Sequence, residues 1–185
     1  LGWSLGGYPS VNLEIAAQYY WRQNYSNRIN LIEIAERKFG TKADKIINEA
    51  WECFGNAFRE FPFDVMVLYT GPQNFGPKNL LFGKPTGFKA TMVGFPYDDL
   101  KTWRGIYPEK VFEEQFKKLS EEWKRGLDKL TEAEGFIECK NQHAFRDLKN
   151  ISEAVYCHFR STYLQIKFVR LRDSLNISAV AGKYV

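Results

Sequence analysis

Apolar residues return at intervals of three and four along most of this chain, the spacing of helices with one buried side. Leu13, Ala16, Ala17 and Tyr20 begin the pattern, with Asn12 as candidate cap and Glu14 in the first turn. A second helix is predicted from about Ile29 to Phe39, burying Leu31, Ile32, Ala35 and Phe39, with Gly40 ending it. Thr41-Lys42-Ala43-Asp44 resembles a capping box with Asp in place of Glu and opens a third helix that reaches about Phe61. Its stripe is Ile46, Ile47, Ala50, Cys53, Phe54, Ala57 and Phe58, with Trp51 at the edge, and Pro62 stops it. A fourth helix starts at Pro108, and its stripe runs through Phe112, Phe116, Leu119, Trp123, Leu127 and Leu130. Glu109, Glu113 and Glu114 near its start, and Lys124, Arg125 and Lys129 near its end, match the helix dipole. After a turn around Gly135 to Asn141, a final helix runs to about Leu175, with Phe145, Leu148, Val155, Phe159, Thr162, Ile166 and Val169 on one side. The last two helices form a long antiparallel hairpin. The expected fold class is all-α, with about five helices.

Two stretches break the helical pattern. In the first, Leu1, Trp3 and Leu5 alternate with small or polar residues, then Gly6-Gly7 and Pro9-Ser10 turn the chain. A lone strand leaves its backbone unpaired, so this reads as the last strand of a sheet whose other strands lie outside the chain. An ordered N-terminal arm is the alternative. The second stretch, residues 62–108, is a long irregular loop holding six of the seven prolines and six of the fourteen glycines. A loop of that length is either functional or disordered, and its many aromatic residues argue against disorder.

Composition narrows the function classes. At 185 residues, 44% of them apolar, the chain suits one domain with a real core. The net charge of +4 is spread over mixed-sign faces, unlike the clustered basic patch of a nucleic-acid binder. No apolar run reaches the length of a membrane span. Cys53, Cys139 and Cys157 follow no metal or redox spacing and are expected to be small buried hydrophobes. His143 and His158 show no zinc pattern, and His158 is expected in the core. No nucleophile elbow, phosphate loop or dinucleotide fingerprint occurs. Asp64, Asp98 and Asp99 are expected to be solvated, and no residue is assigned a catalytic, metal or cofactor role. Of the Asn-x-Ser triplets at Asn24, Asn150 and Asn176, that at Asn150 lies inside a helical pattern and reads as chance.

Aromatic rings beside amides carry more. Rings match the C–H faces of sugars, and Gln or Asn can donate and accept at their hydroxyl edges. Tyr69, Gln73 and Asn74 offer both within a Gly/Pro frame, Trp103 offers a second platform, and Trp3 with Tyr8 a third. Packing of these rings onto the bundle is the competing explanation.

The run Leu1-Gly-Trp-Ser-Leu-Gly-Gly-Tyr-Pro-Ser, followed by Asn12-Leu-Glu, resembles the last strand, loop and helix of (β/α)8 glycoside hydrolases of Bacteroidetes type. Phe39-Gly-Thr, Ala50-Trp51 and Phe58-Arg-Glu-Phe-Pro resemble the helical region trailing such barrels. Tyr69-x-Gly-Pro-Gln73-Asn74-x-Gly-Pro-x-Asn79-Leu-Leu resembles the loop that follows. The resemblance implies that residues 1–24 close a barrel and that 25–185 form a helical C-terminal domain with the 62–108 loop inserted. It implies carbohydrate as the ligand of the complete enzyme, a missing N-terminal barrel that holds the catalytic acids, and a periplasmic or extracellular location. The chain alone is then inactive. A stand-alone helical protein-interaction module is the alternative, since aromatic surfaces serve protein interfaces equally.

Overall fold

The computed structural model describes residues 10–21, 31–72, 81–91 and 97–181. The proposed strand at the N-terminus, with Trp3 and Tyr8, lies outside the described residues, as do Gln73 and Asn74. The fold is all-α, with six α-helices and no strand among the described residues. They are α1 (Val11–Trp21), α2 (Leu31–Phe39), α3 (Asp44–Arg59), α4 (Val65–Thr70), α5 (Glu109–Ala133) and α6 (Gln142–Ala181). The long hairpin is present as α5 and α6, joined through 3-10 turns at Glu134–Phe136 and Cys139–Asn141. The amide of Gln142 fastens this turn by donating to the Ile137 carbonyl at 3.0 Å. Helix α3 lies against α5, α5 against α6, and α2 against α3.

The sixth helix is α4, which lies inside the segment expected to be irregular. Asp64 caps it, its Oδ1 accepting from the Met66 N–H at 2.8 Å. The caps of the first and third helices also differ from expectation. Ser10, rather than Asn12, caps α1, its Oγ accepting from the Asn12 N–H at 3.1 Å. Ala43 stands at the cap of α3 with no side-chain bond, so Thr41 closes no capping box. Asp44 instead bonds the Lys45 N–H at 2.7 Å. Gly40 does end α2: its φ is +95°, a conformation open chiefly to glycine, and its N–H donates to the Glu36 carbonyl at 2.8 Å.

Two apolar clusters fill the interior. One joins Ala35, Phe39, Ile47, Ala50, Phe54, Leu127, Leu130 and Phe145, at the end where α2 and the hairpin turn meet. The other joins Phe112, Phe116, Leu119, Phe159, Ile166 and Val169 to Tyr97, Leu100 and Trp103 of the inter-helix segment. Trp123 borders both: it stacks on Phe54 with centroids 4.4 Å apart, meets Phe159 edge-on at 5.3 Å, and donates from Nε1 to the Ser152 carbonyl at 3.0 Å. Several apolar expectations are overturned. Ile32 and Phe58 are exposed, and Ile34 is buried where Ile32 was expected. Cys139 and Cys157 are exposed and Cys53 half-buried, so the cysteines are not core residues.

Candidate functional site

The segment between α3 and α5 is held from three directions. From below, its own apolar side chains enter the core. Trp103 has no solvent exposure and meets Phe112 edge-on with centroids 5.3 Å apart. Its indole Nε1 is buried without a hydrogen-bond partner among the described residues, and packing holds the ring. Tyr97 is equally buried and has φ +53°, in the left-handed region. Burial pushes its phenol pKa up, which keeps the ring neutral.

From the side, α6 contributes a buried charged tether. The Arg172 side chain is 4% exposed. Its Nη2 donates to the Asp98 carbonyl at 2.7 Å and its Nη1 to the Phe82 carbonyl at 3.2 Å. The Asp98 carboxylate lies 3.6 Å from Nη1 and accepts from the Thr86 N–H at 2.6 Å and the Thr86 hydroxyl at 3.0 Å. Gln165, also buried, donates to the Tyr97 carbonyl at 3.4 Å. Asp98 is therefore no solvated loop carboxylate; it is satisfied and buried, as a charge inside a protein must be. Its neighbour Asp99 caps the 3-10 turn at Leu100–Thr102 by accepting from the Lys101 N–H at 3.0 Å.

From the third direction, the segment ties to itself. Thr102 accepts from the Ala90 N–H at 3.0 Å, and Thr70 at the end of α4 donates to the Thr102 carbonyl at 3.1 Å. Tyr107 donates to the Phe63 carbonyl at 3.3 Å. Gly105, at φ +61°, lies so close to Asp64 that a Cβ there would sit 2.3 Å from Oδ1.

On this frame the proposed ligand residues separate. Tyr69, on α4, is 56% exposed. Trp103 faces inward, and only Tyr69 and Trp103 of the six lie within the described residues. Sequence reasoning missed the exposed apolar ridge beside them. Phe58 stacks on Phe61 and Phe63 meets it edge-on, and Phe61 in turn packs on the core ring of Phe116. Val65, Met66 and Ile106 are exposed as well. The signal was the run of aromatic residues on both sides of Pro62, which a helical stripe absorbed too readily.

Among the described residues no group of three or more His, Cys, Asp or Glu is placed to hold a metal ion. Burial pushes the Cys53 thiol up, away from a reactive thiolate. His143 is exposed and lies 3.2 Å from Asp147, while His158 is half-buried rather than a core residue. Two open depressions, of about 300 and 430 Å³, are lined mostly by charged residues of α2 with the hairpin turn, and of α3 with α5. No described helix is long and apolar enough to cross a membrane. The chain matches no protein-family model, no curated protein and no solved structure.

Proposed function

We propose that this chain is the helical C-terminal part of a carbohydrate-active glycoside hydrolase, in which it shapes the substrate site and supplies no catalytic acid. The observation that carries the reading is the mounting of Tyr69. Its ring is solvent-facing, yet the helix beneath it is capped by Asp64 and pinned through Thr70 to Thr102. An exposed ring on an anchored helix suits stacking on a sugar face, because no backbone ordering entropy is then lost on binding. Gln73 and Asn74 follow within four and five residues and would serve the hydroxyl edges. The resemblance of the opening decapeptide to a last barrel strand supports the same reading.

Calorimetry with a panel of oligosaccharides, on the full polypeptide that carries this chain, tests it. Tyr69→Ala is expected to weaken binding by about 1 kcal/mol with the thermal midpoint unchanged. No saccharide binding, or full affinity in the variant, overturns the reading. A second reading, a protein-interaction module, is favoured by the ridge of Phe58, Phe63, Val65, Met66 and Ile106. Phenylalanine and aliphatic side chains offer no hydrogen bonds to a sugar but suit the dry centre of a protein interface. Phe63→Ser and Ile106→Ser would leave saccharide affinity intact on the first reading and abolish partner capture on the second.

A further inference from the structure

Helix α6 is apolar on two sides. The inward side, through Phe145, Leu148, Phe159, Ile166 and Val169, belongs to the core. A second series, Cys157, Ser161, Leu164, Phe168, Leu171 and Leu175, runs along the helix in alternating steps of four and three. At about 100° per residue these steps hold one narrow stripe, and Leu164 lies about 200° from Ile166, on the far side of the helix. The stripe is open: Leu164 is 49%, Leu171 46% and Leu175 71% exposed, and Phe168 is half-buried against the core.

The flanks are charged in one sense. On one side Gln165 and Arg172 turn inward and are buried. On the other side Arg160 and Lys167 stand one heptad apart. Both cations lie over the buried ring of Tyr163, at 4.8 and 5.8 Å from its centroid, and neither forms an ion pair among the described residues. Between residues 160 and 175 the one carboxylate is Asp173, which Arg172 already engages at 2.8 Å.

We propose that this seam docks one amphipathic helix of a partner protein, with apolar residues in its stripe and carboxylates alongside them facing Arg160 and Lys167. The alternating three-four spacing suits a helical occupant, since a strand would offer its side chains in steps of two. The unpaired cations select an acidic flank. A second copy of the chain is the poorer occupant, because each copy would bring two cations to the seam against one exposed carboxylate, Glu153, one heptad before Arg160. This inference concerns a different surface from Tyr69 and stands apart from the carbohydrate reading.

The test uses the full chain and two three-heptad peptides, each with leucine in the stripe, one with glutamate and one with lysine at the flanks. Like-charge repulsion keeps each peptide from pairing with itself. Fluorescence anisotropy at low salt is expected to show binding of the glutamate peptide and not the lysine peptide, weakening as salt is added. Leu164→Ser with Leu171→Ser should weaken that binding by at least about tenfold, with helicity and thermal midpoint unchanged because both side chains face solvent. Arg160→Glu with Lys167→Glu should reverse the preference. Binding of neither peptide, equal binding of both, or self-association of the chain that disappears in the double serine variant would overturn the proposal.

Discussion

Arg172 and Asp98 lie 74 positions apart in sequence, and the bond from Nη2 to the Asp98 carbonyl joins α6 to the inter-helix segment. Both side chains are almost wholly out of water. Attraction between such charges is offset by the loss of their hydration, so the pair adds little net stability, yet removing one partner strands the other. Arg172→Ala should therefore cost about 3–5 kcal/mol in urea unfolding, and it also leaves the Phe82 and Asp98 carbonyls without their donor. The double variant Arg172→Ala with Asp98→Ala should be less damaging than the sum of the singles, because no unpaired charge then remains. Hydrogen exchange should show the lost protection first at Thr86, whose N–H is held by the Asp98 carboxylate. Equal and additive losses would mean that the two side chains act independently.

At the scale of elements, helix packing is decided where backbones approach. On α5, Gly126 faces Phe54 of α3, and a Cβ there would sit 2.3 Å from the ring. Alanine is the better helix former by about 1 kcal/mol, but forcing a methyl into a packed contact costs about 1–3 kcal/mol. Gly126→Ala should thus lower the denaturation midpoint, while Gly55→Ala on α3, with no described residue within 4 Å of the added atom, should raise it. A gain at both positions would show that Phe54 can move aside. The contrast also shows what the sequence carried. Long stripes such as Phe112–Phe116–Leu119 placed α5, α6 and the hairpin, because many positions repeat one period. Short local signals were less informative: Ser10 caps α1 in place of Asn12, and Ala43 sits where a capping box was expected. At the end of α3 it is Ala57 that turns into the core, and Phe58, one position on, is exposed with its ring stacked on Phe61. In the candidate site, Tyr69 was legible as an aromatic in a Gly/Pro frame. The inward course of Trp103 and the burial of Asp98 depend on α5 and α6, which approach the segment only in three dimensions. The second face of α6 went unread because its inward stripe already accounted for a helix.

For the whole molecule, the question is whether two apolar clusters unfold as one unit. The first gathers α2, the start of α3 and the hairpin turn; the second gathers the anchored segment and the middle of α6. Helices α3, α5 and α6 pass through both, but side-chain contact between the clusters runs through Trp123, against Phe54 on one side and Phe159 on the other. Its Nε1 bond to the Ser152 carbonyl fixes the ring in that position. Cooperativity requires that loosening one cluster weaken the other, and this ring is the body that transmits the loss. Trp123→Ala removes it and should cost about 3–5 kcal/mol. It should also separate the two transitions. Wild-type calorimetry should give a calorimetric enthalpy equal to the van't Hoff value. In the variant the calorimetric enthalpy should exceed it, with amides of α2 exchanging before those near Ile166. A variant that unfolds at lower temperature but still in one step would place the coupling in the continuous helix backbones. Trp123→Phe distinguishes ring from bond: it keeps aromatic contact with both neighbours but loses the Nε1 bond to the Ser152 carbonyl, which keeps its bond within α6, so it should restore the single transition at intermediate stability.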